Sequence, residues 1–305
     1  MSSPIEELRE ALGAGARVDE LLARHTTLRI GGPADLFVEA KTVPELVESV
    51  KLARQFAVPF FILGNGSNIL VLDKGIRGLV IENHCDDFSL EISSPERAVL
   101  TAESGASLPG IANRLARQGW SGLEWAIGVP GTVGGAVVAN AGAHGSSIAD
   151  NLVSVTILDA AGLTPKLPKT ECGFDYRTSR FKHNQRDTVL TAKFEMRRDG
   201  ADACIARMNS YTEHRRQTQP TDPSVGSMFK NPPGDFAGRL IEQAGLKGRR
   251  VGDIEVSRIH ANFFVNLGKA TARDVVELIQ VVRDSVKERF GVELDLEIEV
   301  VGEQG

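Results

Sequence analysis

Residues 175–182 read Asp-Tyr-Arg-Thr-Ser-Arg-Phe-Lys, so Arg177, Arg180 and Lys182 stand beside Tyr176. Cations this close suit a phosphate or a developing oxyanion, for which arginine's fixed donor fork is well shaped. The same run suits an exposed basic turn equally well. In Val225-Gly226-Ser227-Met228 a hydroxyl sits in a segment braced by Pro220, Pro223, Pro232 and Pro233. Charges nearby would let it give or take a proton. It lacks the second glycine of a hydrolase nucleophile elbow, and an ordinary turn serine reads the same way. Glu293, Asp295, Glu297 and Glu299 alternate with Val292, Leu294, Leu296, Ile298 and Val300, which predicts a strand with one acidic face, ordinarily a solvated one. His214-Arg215-Arg216 close a predicted helix, where cations also offset the helix dipole.

Two glycine-rich runs have to hold whatever these groups act on. Residues 128–145, GVPGTVGGAVVANAGAHG, contain six glycines and four alanines in eighteen positions. Glycine inside a helix or strand costs roughly 0.5–1 kcal/mol against alanine, so the run implies left-handed backbone or close approach of main-chain N–H groups to a ligand. Val129, Val133, Val137 and Val138 thread it, which predicts burial and not a loose linker. Residues 64–68, Gly-Asn-Gly-Ser-Asn, form a second possible anion nest. This run is no dinucleotide fingerprint, because Ile69 replaces the third glycine and a strand follows. A hairpin turn uses the same residues.

The elements that position these groups are those of an α/β chain. Capping boxes at Ser3 and Thr42 start helices, and Ser107-Leu-Pro109 starts another that stops at Gly119. Thr271-Ala-Arg-Asp274 caps a helix with Val275, Ile279, Val282, Val286 and Phe290 on its buried face, ended by Gly291. Strands are predicted over 34–40, 60–63, 69–72, 78–81, 97–103, 153–157, 188–196, 259–265 and 292–300, with residues 64–68 as a tight turn between the second and third. A polar interruption at 199–202 marks a boundary, and residue 203 onwards reads as a helix to about 217. The 305 residues and net charge of −5 suit an ordinary globular protein and argue against a general nucleic-acid surface. Cys85, Cys172 and Cys204 lie far apart, and the six histidines lack metal-ligand spacing, so no disulfide framework and no metal is expected. No signal peptide or membrane span is evident, and a cytoplasmic location is expected.

Taken in order, seven blocks resemble the UDP-N-acetylenolpyruvoylglucosamine reductase family, in its shorter class. They are His25-Thr-Thr-Leu-Arg-Ile-Gly-Gly-Pro-Ala-Asp35, Leu63-Gly-Asn-Gly-Ser-Asn68, Gly128-Val-Pro-Gly-Thr-Val-Gly-Gly-Ala136, Asn140-Ala-Gly-Ala143, Tyr176-Arg-Thr-Ser-Arg-Phe-Lys182, Gly226-Ser-Met-Phe-Lys-Asn-Pro232 and His260-Ala-Asn-Phe263. The resemblance implies an α+β chain. It would have a two-lobed FAD-binding fold of the vanillyl-alcohol oxidase/p-cresol methylhydroxylase type (residues 1–84 and 85–200) and a C-terminal α/β substrate-binding domain (201–305). It implies FAD-dependent reduction of UDP-N-acetylglucosamine enolpyruvate to UDP-N-acetylmuramate by NADPH, in peptidoglycan precursor synthesis. FAD would lie against Gly64, Asn65, Gly66, Ser67, Asn68, Gly131, Thr132, Val133, Gly134, Gly135, Asn140, Gly142 and Ala143. By the same resemblance Arg177 stabilises the enolate, Ser227 delivers the proton to carbon-2, and Glu297 helps polarise the substrate carboxylate, for which it must carry or share a proton. Tyr176, Arg215, Arg216, Lys230, Asn231 and His144 would contact the substrate. His144 stands where many members have Tyr, and Thr218 where many have Lys. The substrate is a small molecule, with no nucleic acid or membrane partner, and a monomer is expected.

Overall fold

A computed structural model of the chain describes residues 3–183 and 186–303. Its local elements follow from their caps. Ser3 and Glu6 exchange side-chain and backbone bonds at the start of the helix Pro4–Leu12, and Thr42 caps the helix Val43–Gln55. Thr271 and Asp274 do the same for Ala272–Phe290, which stops where Gly291 turns left-handed at φ 68°.

The first sheet orders Arg17–Leu21, Pro33–Ala40, Ile76–Asn83 and Phe60–Leu63. The first pair is antiparallel and the others parallel, with the helix Val43–Gln55 as the crossover. The second sheet is antiparallel and orders Lys166–Pro168, Leu152–Leu158, Thr188–Arg198, Arg97–Glu103 and Phe88–Ser94, with Trp120–Ser121 pairing the end of its long central strand. Leu100, Leu115, Trp125, Val137 and Phe194 fill the core between this sheet and the helices Leu108–Arg117 and Val133–Ala139. Cys85, Cys172 and Cys204 are free and buried, and burial pushes the Cys85 thiol up to about 12.

The strands predicted on either side of residues 64–68 do not pair with each other, so the alternative reading of this run as a hairpin turn is excluded. Ile69–Val71 leaves the first sheet and pairs in parallel with Glu299–Val301, so the loop carries the chain from one sheet to another. Asn68 joins both ends of this junction, because its carbonyl accepts from the Glu299 amide (3.0 Å) and its Nδ2 donates to the Glu297 carbonyl (3.3 Å). The predicted strand over 292–300 is correspondingly short. Only Glu299–Val301 is a strand; upstream of it a lone bridge links Leu296 to Phe229. Its acidic face also divides: Glu293 and Asp295 are exposed, whereas Glu297 and Glu299 are half-buried. The strand predicted over 259–265 is likewise replaced by Ile254–Val256, a turn, and Phe264–Asn266. The Ser257 hydroxyl, accepting from the Ile259 and His260 amides, breaks it.

A third core holds Val225, Met228, Phe229, Ile254, Phe264, Leu278 and Val282 together with Leu28, Ile30, Leu70 and Leu72 from the N-terminal part of the chain. Asp73 adds a tie by accepting from the Ala272 and Arg273 amides at the start of the last long helix. The helix Ala201–Thr218 turns the other way and packs Cys204 and Met208 on Ala116 of the second lobe. There Arg207 donates to Glu124, whose side chain is 7% exposed. Burial pushes the Glu124 carboxyl up, but bonds from the Gly122 amide and Arg207 outweigh it and hold the group below the ordinary range. A depressed pKa stabilises the fold above the unfolded value and ceases to do so as pH falls through the folded one. Arg207→Met is therefore expected to cost about 1.5–3 kcal/mol near neutral pH. In denaturant melts against pH, that deficit should shrink below about pH 4; a deficit independent of pH would exclude the Glu124 pairing as its source.

Candidate active site

One cavity of about 490 Å³ is lined by the strand Phe60–Leu63 of the first sheet, by the helix Val133–Ala139 beside the second, and by segments around Ser227 and Glu297. That volume falls in the range of small-molecule and cofactor sites. Residues 64–68 form one wall and residues 129–132 with Gly134, Gly135 and Ala136 another. Gly142 and Ala143 continue toward Arg177, Phe181 and Lys182, and the remaining wall comes from Val225, Gly226, Ser227, Phe263, Glu297 and Glu299.

The glycines of the first two walls are there for space. A Cβ on Gly64 would stand 2.6 Å from the Thr132 hydroxyl, and one on Gly134 2.8 Å from the Ser104 Cβ. Gly66 has φ 57°, and a Cβ there would meet the His25 carbonyl at 2.2 Å. Ser67 donates to the Pro130 carbonyl (2.9 Å) and ties the walls together. Among the described residues the amides of Asn65, Gly66, Ser67 and Asn68 have no protein acceptor. These are the donors an anion would find. Across from them the Val133 and Gly134 amides are already spent on the Ala106 and Ser104 carbonyls, and Gly135 donates weakly to the Thr132 side chain (3.4 Å). A phosphate-bearing cofactor thus fits this cradle chiefly through residues 64–68. Val133 itself is in the core, away from the cavity. Asn140 is buried at the left-handed end of its helix, donating to the Asp175 carbonyl and accepting from the Ala149 amide, so it braces the wall from behind.

The reactive side chains arrive from separate elements. Arg177, itself left-handed at φ 55°, donates through Nε to Glu297 Oε1 and through Nη2 to the Gly142 carbonyl, both at 2.7 Å. Gly226 at φ 75° precedes Ser227, which forms a lone antiparallel bridge with Phe263. Asn262 clamps the loop beyond by accepting from the Phe229 amide and donating to its carbonyl. Arg177, Ser227 and Glu297 therefore line one space.

The residues expected to contact substrate are spread more widely. Arg215 lines the cavity and lies across Gly128, where a Cβ would come within 2.9 Å of its Nε. Burial holds its pKa below the ordinary arginine value. Tyr176 is 47% exposed, and its hydroxyl accepts from the Asn231 amide (3.4 Å). Asn231 in turn accepts from the Ala237 amide. Lys230 is half-buried outside the cavity lining, and Arg216 points into solvent, paired with Glu213 at 3.0 Å. His144 stacks on Tyr211 with ring centroids 4.2 Å apart, behind the wall. Its Nε2 is buried without a partner, and burial, with Arg215 and His214, keeps the ring's pKa down. Thr218 donates to the His214 carbonyl and does not replace a cation.

Asn83 and Ser104 also line the cavity without having been singled out, and so do Lys182 and Glu299, which the sequence placed in a basic run and an acidic row but gave no site role. Lys182 is the notable one: burial first, then Lys230, lowers its pKa. Among the described residues neither Lys182 nor Arg215 has an acidic partner within ion-pair distance. Its place in the basic run 175–182 was the available signal.

Known proteins resemble the chain over nearly its full length. Residues 219–301 match the family description "UDP-N-acetylenolpyruvoylglucosamine reductase, C-terminal domain", and residues 34–167 match "FAD binding domain". The chain is 45% identical to UDP-N-acetylenolpyruvoylglucosamine reductase 2 of Symbiobacterium thermophilum over 99% of this chain and 98% of that one. It is 44% identical to the reductase of Anoxybacillus flavithermus over 97% and 98%. The crystal structure of the Thermus caldophilus reductase superposes with a TM-score of 0.81 at 38% identity, covering 94% of this chain and all of that one.

Gly66→Ala tests the cradle. The left-handed backbone alone should cost about 1–3 kcal/mol, and the clash with the His25 carbonyl adds to it. A lowered melting temperature together with weaker FAD binding in fluorescence titration is the expected result; unchanged FAD affinity would remove residues 64–68 from the cofactor site.

Proposed function

Because the chain belongs to the UDP-N-acetylenolpyruvoylglucosamine reductase family, we propose that it reduces the enolpyruvyl group of UDP-N-acetylglucosamine enolpyruvate to give UDP-N-acetylmuramate, with FAD as cofactor and NADPH as reductant. The product is a peptidoglycan precursor. The observation that carries this reading is the meeting of a glycine cradle with Arg177, Ser227 and Glu297 in one cavity, within a chain that matches the family from end to end. When bound, FAD would supply the redox chemistry that links NADPH to reduction at carbon-3 of the enolpyruvyl group.

The free amides of residues 64–68 hold the cofactor's diphosphate, with Thr132 and Gly135 across from them. Arg177 faces the charge that builds on the substrate carboxylate as carbon-3 gains its hydride. A fixed donor of this kind is worth roughly 10²–10³ in rate. Glu297 anchors that guanidinium at 2.7 Å and so fixes its direction, a task distinct from sharing a proton with the substrate. Ser227 delivers the proton to carbon-2. A serine that gives up its proton is left negative, and Arg177, Lys182 and Arg215 on the same cavity walls favour that charge. Arg215 and Lys182, half-buried cations without an acid within ion-pair distance among the described residues, bind the phosphates and carboxylate that NADPH and substrate bring in turn. Tyr176 and Asn231 hold the sugar end. No helix among the described residues is long and apolar enough to cross a membrane. A peptidoglycan precursor made with NADPH fits a cytoplasmic enzyme.

Anaerobic stopped-flow mixing separates the half-reactions. NADPH should bleach the flavin absorbance, and the enolpyruvyl substrate should restore it without oxygen; recovery only with oxygen would make the protein an oxidase. Ser227→Ala should leave bleaching by NADPH within about twofold and slow recovery by roughly 10²-fold or more. Equal losses in both halves would take the proton-donor role from Ser227.

A further inference from the structure

The block His25-Thr-Thr-Leu-Arg-Ile-Gly-Gly matched the family, yet none of its residues lines the cavity. Its second threonine, Thr27, bonds two distant segments; its hydroxyl lies nearest the Ser224 carbonyl and also stands 3.4 Å from the Gly66 carbonyl. The Thr27 amide donates to the Gly66 carbonyl (3.1 Å), in the loop whose free amides form the cradle. The Thr27 hydroxyl donates to the Ser224 carbonyl (2.7 Å), 197 residues away and three before Ser227. One half-buried residue thus fixes the cofactor wall with its backbone and the serine wall with its side chain.

The position of that second bond matters. From Ser224 the chain runs through buried Val225 and left-handed Gly226 directly to Ser227. The other anchors of this segment belong to the C-terminal unit itself. The Asn266 amide donates to Pro223, and Met228 donates to the Asn262 carbonyl. They shape the loop within its own unit and leave its distance from the cradle to the Thr27 hydroxyl and to the apolar contacts around Leu28 and Leu70. A neighbouring tie, Asn266 Nδ2 to the Leu28 carbonyl at 2.9 Å, holds the same block to the unit behind the loop and not to the serine segment.

We propose that Thr27 is a positioning residue for the proton transfer, its hydroxyl setting Ser227 against the cofactor wall by holding the Ser224 carbonyl. The inference rests on Ser227 being the proton donor. Proton delivery to carbon-2 is sensitive to donor placement, and a displacement near 1 Å can cost about 10²-fold. Hydride transfer from NADPH does not use Ser227 and should not depend on the bond.

Thr27→Val removes the hydroxyl and nearly keeps the shape; Thr27→Ser keeps the hydroxyl. With FAD-loaded protein, T27V should be bleached by NADPH within about twofold of the wild-type rate, while substrate-driven recovery slows about 10–100-fold. T27S should recover within about threefold of wild type. In an S227A background T27V should add less than about twofold, because the group it positions is gone. Equal slowing of both half-reactions, an undiminished penalty in S227A, or failure of T27S to restore the rate would each overturn the proposal. Loss of flavin or of a cooperative melt in T27V, with T27S intact, would make the hydroxyl a folding contact and overturn it too. S227A recovering at the wild-type rate would instead sink the reading of Ser227, whereas slow S227A with fast T27V sinks the role of Thr27 alone.

Discussion

The site depends on one short parallel ladder. Ile69–Val71 pairs with Glu299–Val301, and this pairing brings residues 64–68 and Glu297 into the same wall. The ladder is only three residues long, but parallel pairing of this kind is stable where both faces are covered. Here Leu70 and Ile298 are buried in the C-terminal core, and Val71 sits in the core beneath the first sheet. Asn68 sits at the junction and bonds both sides of it, so the cradle's edge and the backbone that presents Glu297 move as one piece. The separation of the reactive groups is then set by packing between cores and not by any flexible loop.

On that frame the protein, negatively charged overall, gathers three cations around a single cavity. Arg177 has its carboxylate partner in Glu297, whereas Lys182 and Arg215 are partly desolvated and, among the described residues, have no acid within ion-pair distance. Burying charge without a partner is unfavourable, and anionic ligands relieve it. Ligand binding and fold stability are therefore linked here, and the folded state should gain stability with the logarithm of the concentration of an anionic ligand above its dissociation constant.

Much of this was legible from sequence where the controlling physics is local. Ser3, Thr42, Ser107 and Thr271 cap the helices they were expected to cap, because a cap bonds only three residues ahead. The space requirement of Gly64, Gly66 and Gly134 was legible as an unusual density of residues without side chains. What failed depended on contacts far apart in the chain. A glycine–asparagine loop between two apolar runs looks the same whether the second run turns back as a hairpin or leaves for a partner 229 residues away. The alternation over 292–300 is real in burial at Leu294 and Ile298, yet most of it finds no strand to pair with. The Ser257 turn and the importance of Thr27 were equally hidden, since each depends on which backbone group its hydroxyl meets.

The ladder also orders events during synthesis. The strand Ile69–Val71 and the loop before it are made long before Glu299–Val301 exists, and at ribosomal speeds the stretch between them takes roughly 10–45 s to make. Throughout that interval Leu70 and Leu72 lack the core that will cover them, and the strand keeps an open edge. A nascent chain of this protein therefore carries an exposed, adhesive segment near its beginning until its far end arrives. The cost of placing residues 64–68 and Glu297 side by side is borne by the half-made molecule, as a prolonged demand on whatever shields it from its neighbours.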